Sequence, residues 1–355
     1  MTVFFLQSAL GGFKISFLTD VIQGVMVVGL VVIATVTISV KTEIKSELVG
    51  SSGLTKPTLL GWQLLYILPV AVLTNAFFLS SFWLRTFSSK SDRDLWLGVS
   101  AATVAILLIL TLVGSTGFLA AWSGVWPGDP PSEGSLALFM LLEQLPNWII
   151  GIVLVMVVSL STAAFDSFQS AIVSSASNDL FRNKLNIWVI RGFVVTLIVP
   201  TIIVALKASS ILQIYLVSDL LSASTIPVLC IGLIPGCWWW RGFEVVIGGL
   251  GGILTVFFFG AVYYHDLSKG AKLLLLEDGL YADDWSVFGA FVAAPLGGLI
   301  WGFAALTLRL SLQLMMAKCS GQPFTSLDRP LVLETGNDDA NVEDAANHAE
   351  AGKFF

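Results

Sequence analysis

Eight stretches of about twenty apolar residues follow one another along this chain, and they leave few folds open. A helix needs roughly 17–25 mainly apolar residues to cross a bilayer. The runs fall at about Phe17–Val40, Gly61–Leu84, Leu95–Trp122, Asn147–Ser174, Ile187–Ala208, Ile211–Ile234, Phe243–Tyr264 and Val287–Leu314. Polar, Gly/Pro-rich or charged segments separate most of them. Only 12% of the residues are charged and 56% are hydrophobic, against about 25% charged in soluble domains. The reading is an all-α integral membrane protein of about eight transmembrane helices, with the lipid bilayer as its main partner.

Three regions follow. Residues 1–16 resemble the remnant of a truncated transmembrane helix and its loop, residues 17–316 form the transmembrane domain, and residues 317–355 form a polar, acidic tail expected to be disordered. Short loops rich in Lys and Arg mark the cytoplasmic side. Arg85, Lys90, Arg93, Arg182, Lys184, Arg241, Arg309 and Lys318 share one side. The C-terminus is therefore expected in the cytoplasm, with the Trp126 loop and the Asp266–Asp284 loop outside. The net charge of −6 resides mostly outside the spans, and nothing suggests nucleic acid as a partner.

Several chemistries are excluded. Cys230, Cys237 and Cys319 form no disulfide or metal framework. His265 and His348 build no catalytic triad or zinc motif, and no phosphate-cradling loop carries a lysine. The chain is not expected to be an enzyme, and no cofactor is implied. Gly248-Gly249-Leu250-Gly251-Gly252 lies inside an apolar run, where close helix packing is its natural role. Most tryptophans, including Trp62, Trp148, Trp238–Trp240 and Trp285, lie near span ends, as an interfacial belt would place them.

The fourth run carries polarity on one side. At about 100° per residue, Ser159, Thr162, Asp166, Ser170, Ser174 and Ser177 fall within a third of a turn. Val158, Phe165, Phe168 and Ile172 fall opposite. Such a helix lines something ionic or polar. Asp166 and Asp219 are the acids inside spans, and Asp20 and Glu143 sit at span mouths. Each buried acid is either an ion or proton site, or a structural acid bonded to a neighbouring helix. A hard cation such as Na⁺ takes oxygen ligands, and the small residues of Ser161-Thr162-Ala163-Ala164 let backbone carbonyls join. The alternative is that these hydroxyls bond back to their own helix. Asn75, mid-span, is either a helix–helix hydrogen bond or a solute ligand.

Three motifs resemble the sodium:solute symporter family, in its fungal, urea-transporter-like branch. GGFKISFLTDVIQGV at 11–25 is similar to the glycine turn and Thr-Asp that open the fifth core helix. SFWLRTFSSKS at 81–91 resembles the end of the sixth, with an arginine before a basic turn. STAAFDSFQSAIVSSASNDLFRNK at 161–184 resembles the eighth, whose Ser/Thr pair holds sodium. The resemblance implies a leucine-transporter-type inverted-repeat fold with alternating access around a midplane site. It implies symport of a small polar solute, such as urea, with Na⁺ or H⁺, at the plasma membrane. It assigns Na⁺ to Ser161 and Thr162, with Asp166 and Ser167 near and Asp20 at a second cation position. Solute is expected against Asn75, Ser81 and Trp83.

This sequence departs from the family in two ways. It lacks the counterpart of the first core helices, and Leu79 and Leu84 replace polar residues. A register matching Ala163-Ala164 to the Ser/Thr pair is the alternative alignment. A non-transporting subunit or regulator of a complete transporter is the alternative function.

Overall fold

A computed structural model describes residues 2–126, 136–182, 184–207, 211–234, 236–277, 284–321 and 327. The side chains of 2–20, Leu84, Arg85 and Asp166, among others, lie outside the described set. The described segments form helices α1 (Thr2–Lys41), α2 (Ser46–Ser51), α3 (Leu59–Phe78), α4 (Ser80–Phe87), α5 (Asp92–Ser123), α6 (Ala137–Glu143), α7 (Asn147–Ser175), α8 (Ile187–Lys207), α9 (Ile211–Leu233), α10 (Gly242–Tyr264), α11 (Leu267–Leu274) and α12 (Ser286–Ser320). No strand occurs among the described residues. Seven of these helices are long and apolar enough to cross a membrane, and α8 carries a shorter apolar stretch, Trp188–Ile203. Their outward faces explain the environment. Val104, Leu107 and Leu110 on α5 are exposed, as are Leu206 on α8 and Ile300 on α12. Apolar surface on this scale is stable only against lipid. The protein is an all-α, multi-pass membrane protein.

The chain divides into two compact units. One comprises residues 1–58 and 79–208, and the other residues 59–78 and 209–355. In the first, α1 and α4 pack on α7, and α5 packs on α6. Its core joins Ile38, Ala120, Leu141, Leu142, Leu145, Ile149 and Val153. In the second, α3 packs on α9, while α9, α10 and α12 pack on one another. Phe291, Ile67, Leu216, Leu220 and Val256 fill that core.

The α9–α10–α12 contact is a glycine contact. A Cβ on Gly252 would lie 2.7 Å from the Ala294 carbonyl oxygen and 2.7 Å from Ser224 Cβ. A Cβ on Gly248 would lie 2.8 Å from the Gly298 carbonyl oxygen. Bare backbone on both helices lets them approach this closely, as expected for the glycine cluster.

Four expectations are corrected. The run expected as one span, Gly61–Leu84, is interrupted at Leu79, whose backbone is extended (φ −74, ψ 116) between α3 and α4. At the N-terminus the backbone is one helix from Thr2 to Lys41, through the glycines expected to turn; glycine costs a helix only about 1 kcal/mol relative to alanine. The last helix reaches Ser320, beyond the expected boundary at 316, and the rest of the expected tail lies almost wholly outside the described residues. Trp240 is buried rather than interfacial, and its indole N–H donates to the Val228 carbonyl at 3.0 Å.

Candidate functional site

Two groups of polar side chains sit inside the second unit, where apolar helices pay heavily for unpaired polarity. The first lies between α3 and α9. Asp219 on α9 is 1% exposed and Asn75 on α3 is 8% exposed. The Asn75 side-chain amide hydrogen-bonds the Asp219 carboxyl group. Asn75 thus makes a helix–helix hydrogen bond, one of the two roles that its mid-span position allowed. One residue earlier, Thr74 Oγ1 lies 3.2 Å from Ser222 Oγ. Ser222 donates to the Asp219 backbone carbonyl at 2.8 Å, and Thr74 donates to the Val70 carbonyl at 2.8 Å. Helical spacing brings the four together: 74 and 75 meet 219 and 222, one turn apart on α9.

After these bonds are drawn, Asn75 Oδ1 and Asp219 Oδ1 remain buried with no partner. Buried side-chain oxygens are ordinarily bonded. Both orphans are acceptors, so the cluster lacks donors. Asp219 is legible in the sequence as an acid inside its span, but nothing within α9 shows that Asn75 faces it.

The second group lies between α10 and α12. Glu244 is fully buried, and Arg309 Nε donates to its Oε1 at 2.5 Å. Arg309 Nη2 donates to the Trp239 carbonyl, also at 2.5 Å. The Glu244 carboxylate further accepts the backbone N–H of Arg241 at 2.9 Å, satisfying that donor at the start of α10. Sequence reasoning missed this carboxylate. Its signal was an acid in the first turn of an apolar helix and an arginine within the last long apolar helix. The carboxylate is paired through both oxygens, whereas Arg309 Nη1 is buried without a partner; the group ties the start of α10 to the body of α12.

At the other end of the same helices, Tyr264 donates to Asp284 Oδ2 at 2.8 Å, and Gln63 donates to the Asp284 carbonyl at 2.8 Å. A cavity of about 330 Å³ lies beside them, lined by Tyr264, Asp266, Lys269, Lys272, Glu277 and Ser286 among others.

The expected cation residues belong to the first unit. α7 is continuous through 161–167, and its two faces are as the periodicity describes. Ser159, Thr162, Ser170, Ser174 and Ser177 are half-buried, while Val158, Phe165, Phe168 and Ile172 are exposed. Ser161 is exposed and donates to the Val157 carbonyl at 3.0 Å, bonding back to its own helix. Ser167 is half-buried. The side chains of Asp166 and Asp20 lie outside the described residues, although both positions are helical. The helix closes in a π-turn, Ala176–Leu180, around Asp179.

The expected solute residues are divided. Ser81 and Trp83 are half-buried on α4, which packs on α7 in the first unit. The Trp83 ring stacks on Phe87 at 6.0 Å and meets Phe82 edge-on at 5.7 Å. Asn75 belongs to the second unit, with Asp219.

Comparison with known proteins places these residues in context. No family model matches the chain. No solved structure matches it. It is 49% identical over 333 residues to the spermidine transporter DUR31 of Candida albicans (strain SC5314), a match covering 93% of this chain and 64% of the relative. The chain thus spans a little under two thirds of the length of the curated transporter that it resembles.

Proposed function

We propose that this chain forms part of a secondary active transporter that carries a small, nitrogen-rich polar solute across the plasma membrane by alternating access. The identity with a spermidine transporter along nearly the whole chain carries this reading. Two features of the structure agree with it. The span broken at Leu79 is the kind of discontinuous helix that transporters place at a solute site. The donor-poor cluster of Asn75 and Asp219 suits a solute that brings its own N–H groups. Spermidine and urea, the solute implied by the family resemblance, both do so.

The coupling ion in this proposal is Na⁺ or H⁺, in keeping with the sodium:solute symporter resemblance. Thr162 supplies a hydroxyl ligand for Na⁺ from the half-buried face of α7, with Ser161, Asp166, Ser167 and Asp20 as the remaining candidates. Cation binding would favour one of the two access states, which requires that its affinity differ between them. The basic loops support a cytoplasmic C-terminus in this proposal.

Uptake of radiolabelled spermidine and urea into proteoliposomes tests the proposal, under an inward Na⁺ gradient, a proton gradient or neither. Accumulation of one solute that depends on a gradient is the expected result. Absence of accumulation of both under every condition would overturn it.

A further inference from the structure

We propose that Asp219 and Asn75 hold a protonated primary amine of the solute, so that this pair selects an ammonium group over neutral urea; the inference rests on the transport reading above. The argument begins with a count of protons. The Asn75 amide is committed to the Asp219 carboxyl group. The Ser222 hydroxyl is committed to the Asp219 backbone carbonyl, and the Thr74 hydroxyl to the Val70 carbonyl. What remains is Asp219 Oδ1 and Asn75 Oδ1, both buried and both without a donor. The Thr74 and Ser222 hydroxyl oxygens, on the residue before Asn75 and one turn after Asp219, lie 3.2 Å from each other. The missing partner is therefore a donor of several protons.

Charge narrows the class. Asp219 is 1% exposed, and no lysine, arginine or histidine among the described residues forms an ion pair with it. A carboxylate enclosed by membrane helices calls for a cation. Urea would satisfy the acceptors and leave the charge. An ammonium group satisfies both: it presents three N–H donors and a full positive charge. The surroundings fit the rest of an alkylamine. Ile67 and Ala71 on α3, with Leu216, Leu220 and Ala223 on α9, belong to the same buried apolar cluster, and methylene groups pack against such side chains.

Glu244 is the contrasting carboxylate. It is equally buried but already holds Arg309 and the Arg241 backbone N–H, so it offers nothing to a ligand. Of the two buried acids among the described residues, Asp219 is the one with an oxygen to spare.

The test is binding of radiolabelled spermidine to the 355-residue chain in lipid nanodiscs, with unlabelled spermidine, urea, NaCl and choline chloride as competitors. The expected result is saturable binding that urea does not displace. Asp219→Asn, which keeps the shape and removes the charge, is expected to weaken binding by about tenfold or more. Asp219→Glu, which keeps the charge on a longer stem, is expected to bind more tightly than Asp219→Asn. Elution of each variant as a single species, with the parent's helical melting curve, confirms that it is folded. Equal binding by Asp219→Asn, displacement by urea, or absence of saturable binding overturns the inference. Displacement by Na⁺ but not choline does so too, by assigning the position to a metal cation. Proteoliposome uptake separates this from the broader proposal. Binding as described with no uptake removes transport and leaves the site, whereas uptake indifferent to Asp219→Asn removes the site and leaves transport.

Discussion

Arg309, well inside α12, donates from Nε to Oε1 of Glu244, a fully buried carboxylate in the first turn of α10. A backbone N–H also bonds the acid and a backbone carbonyl accepts from the base, while Arg309 Nη1 is buried without a partner. Breaking one side leaves an unpaired charge in a low-dielectric setting, which costs about 3–5 kcal/mol. Arg309→Met or Glu244→Gln alone should therefore lower the melting temperature of the detergent-purified chain sharply. The double variant should recover much of the loss, because no isolated charge remains. A double variant as unstable as the worse single one would mean that packing of the arginine stem, not charge, dominates.

The glycine contact makes an independent prediction. Gly252→Ala places a methyl group 2.7 Å from the Ala294 carbonyl oxygen, and neither helix can yield without moving the other. Overpacking of this kind costs about 1–3 kcal/mol. Gly114→Ala on α5 meets nothing within 4 Å, and alanine there should stabilise by about 0.5–1 kcal/mol through its better helix propensity. Thermal unfolding of both variants should move in opposite directions.

Trp240 offers a test of a single buried hydrogen bond. Its indole N–H donates to the Val228 carbonyl, and its ring meets Phe303 edge-on at 5.2 Å. Trp240→Phe keeps an aromatic ring and removes the donor. The Val228 carbonyl keeps its place in the helical ladder of α9, so losing this second hydrogen bond should destabilise the protein by about 0.5–1.5 kcal/mol, read as a lower denaturation midpoint with unchanged helicity at low temperature.

The sequence carried the fold class well, and the reason is physical. Length and apolarity fix a membrane helix within its own segment, and so does a two-faced pattern such as the α7 stripe from Ser159 to Ser177. Contacts between helices leave no such trace. Asn75 and Asp219 are 144 positions apart, and neither segment's periodicity reveals that they meet. The interruption at Leu79 was hidden because the apolar run continues through it without glycine or proline. Glu244 was hidden differently: a carboxylate three residues after Arg241 reads as a solvated cap until Arg309 is brought to it. Ser161 and Thr162 show the converse case. Adjacent in sequence, they lie about 100° apart on the helix, so a motif naming both cannot give them the same surroundings.

That difference yields a prediction about coupling. Thr162 is half-buried on the polar face of α7, whereas Ser161 is exposed and gives its proton to the Val157 carbonyl. If Na⁺ drives uptake, its hydroxyl ligand on this helix is Thr162. Thr162→Ala should raise the Na⁺ concentration for half-maximal uptake by about tenfold, the size of one lost ligand-type interaction. Ser161→Ala should shift it less than about twofold, since an exposed back-bond contributes little to the site. Thr162→Ser, which keeps the hydroxyl and drops the methyl, should stay near the parent. Proteoliposome uptake titrated with NaCl at constant ionic strength reads all three. An equal shift for Ser161→Ala and Thr162→Ala would place both hydroxyls at the ion, which requires α7 to unwind locally during transport.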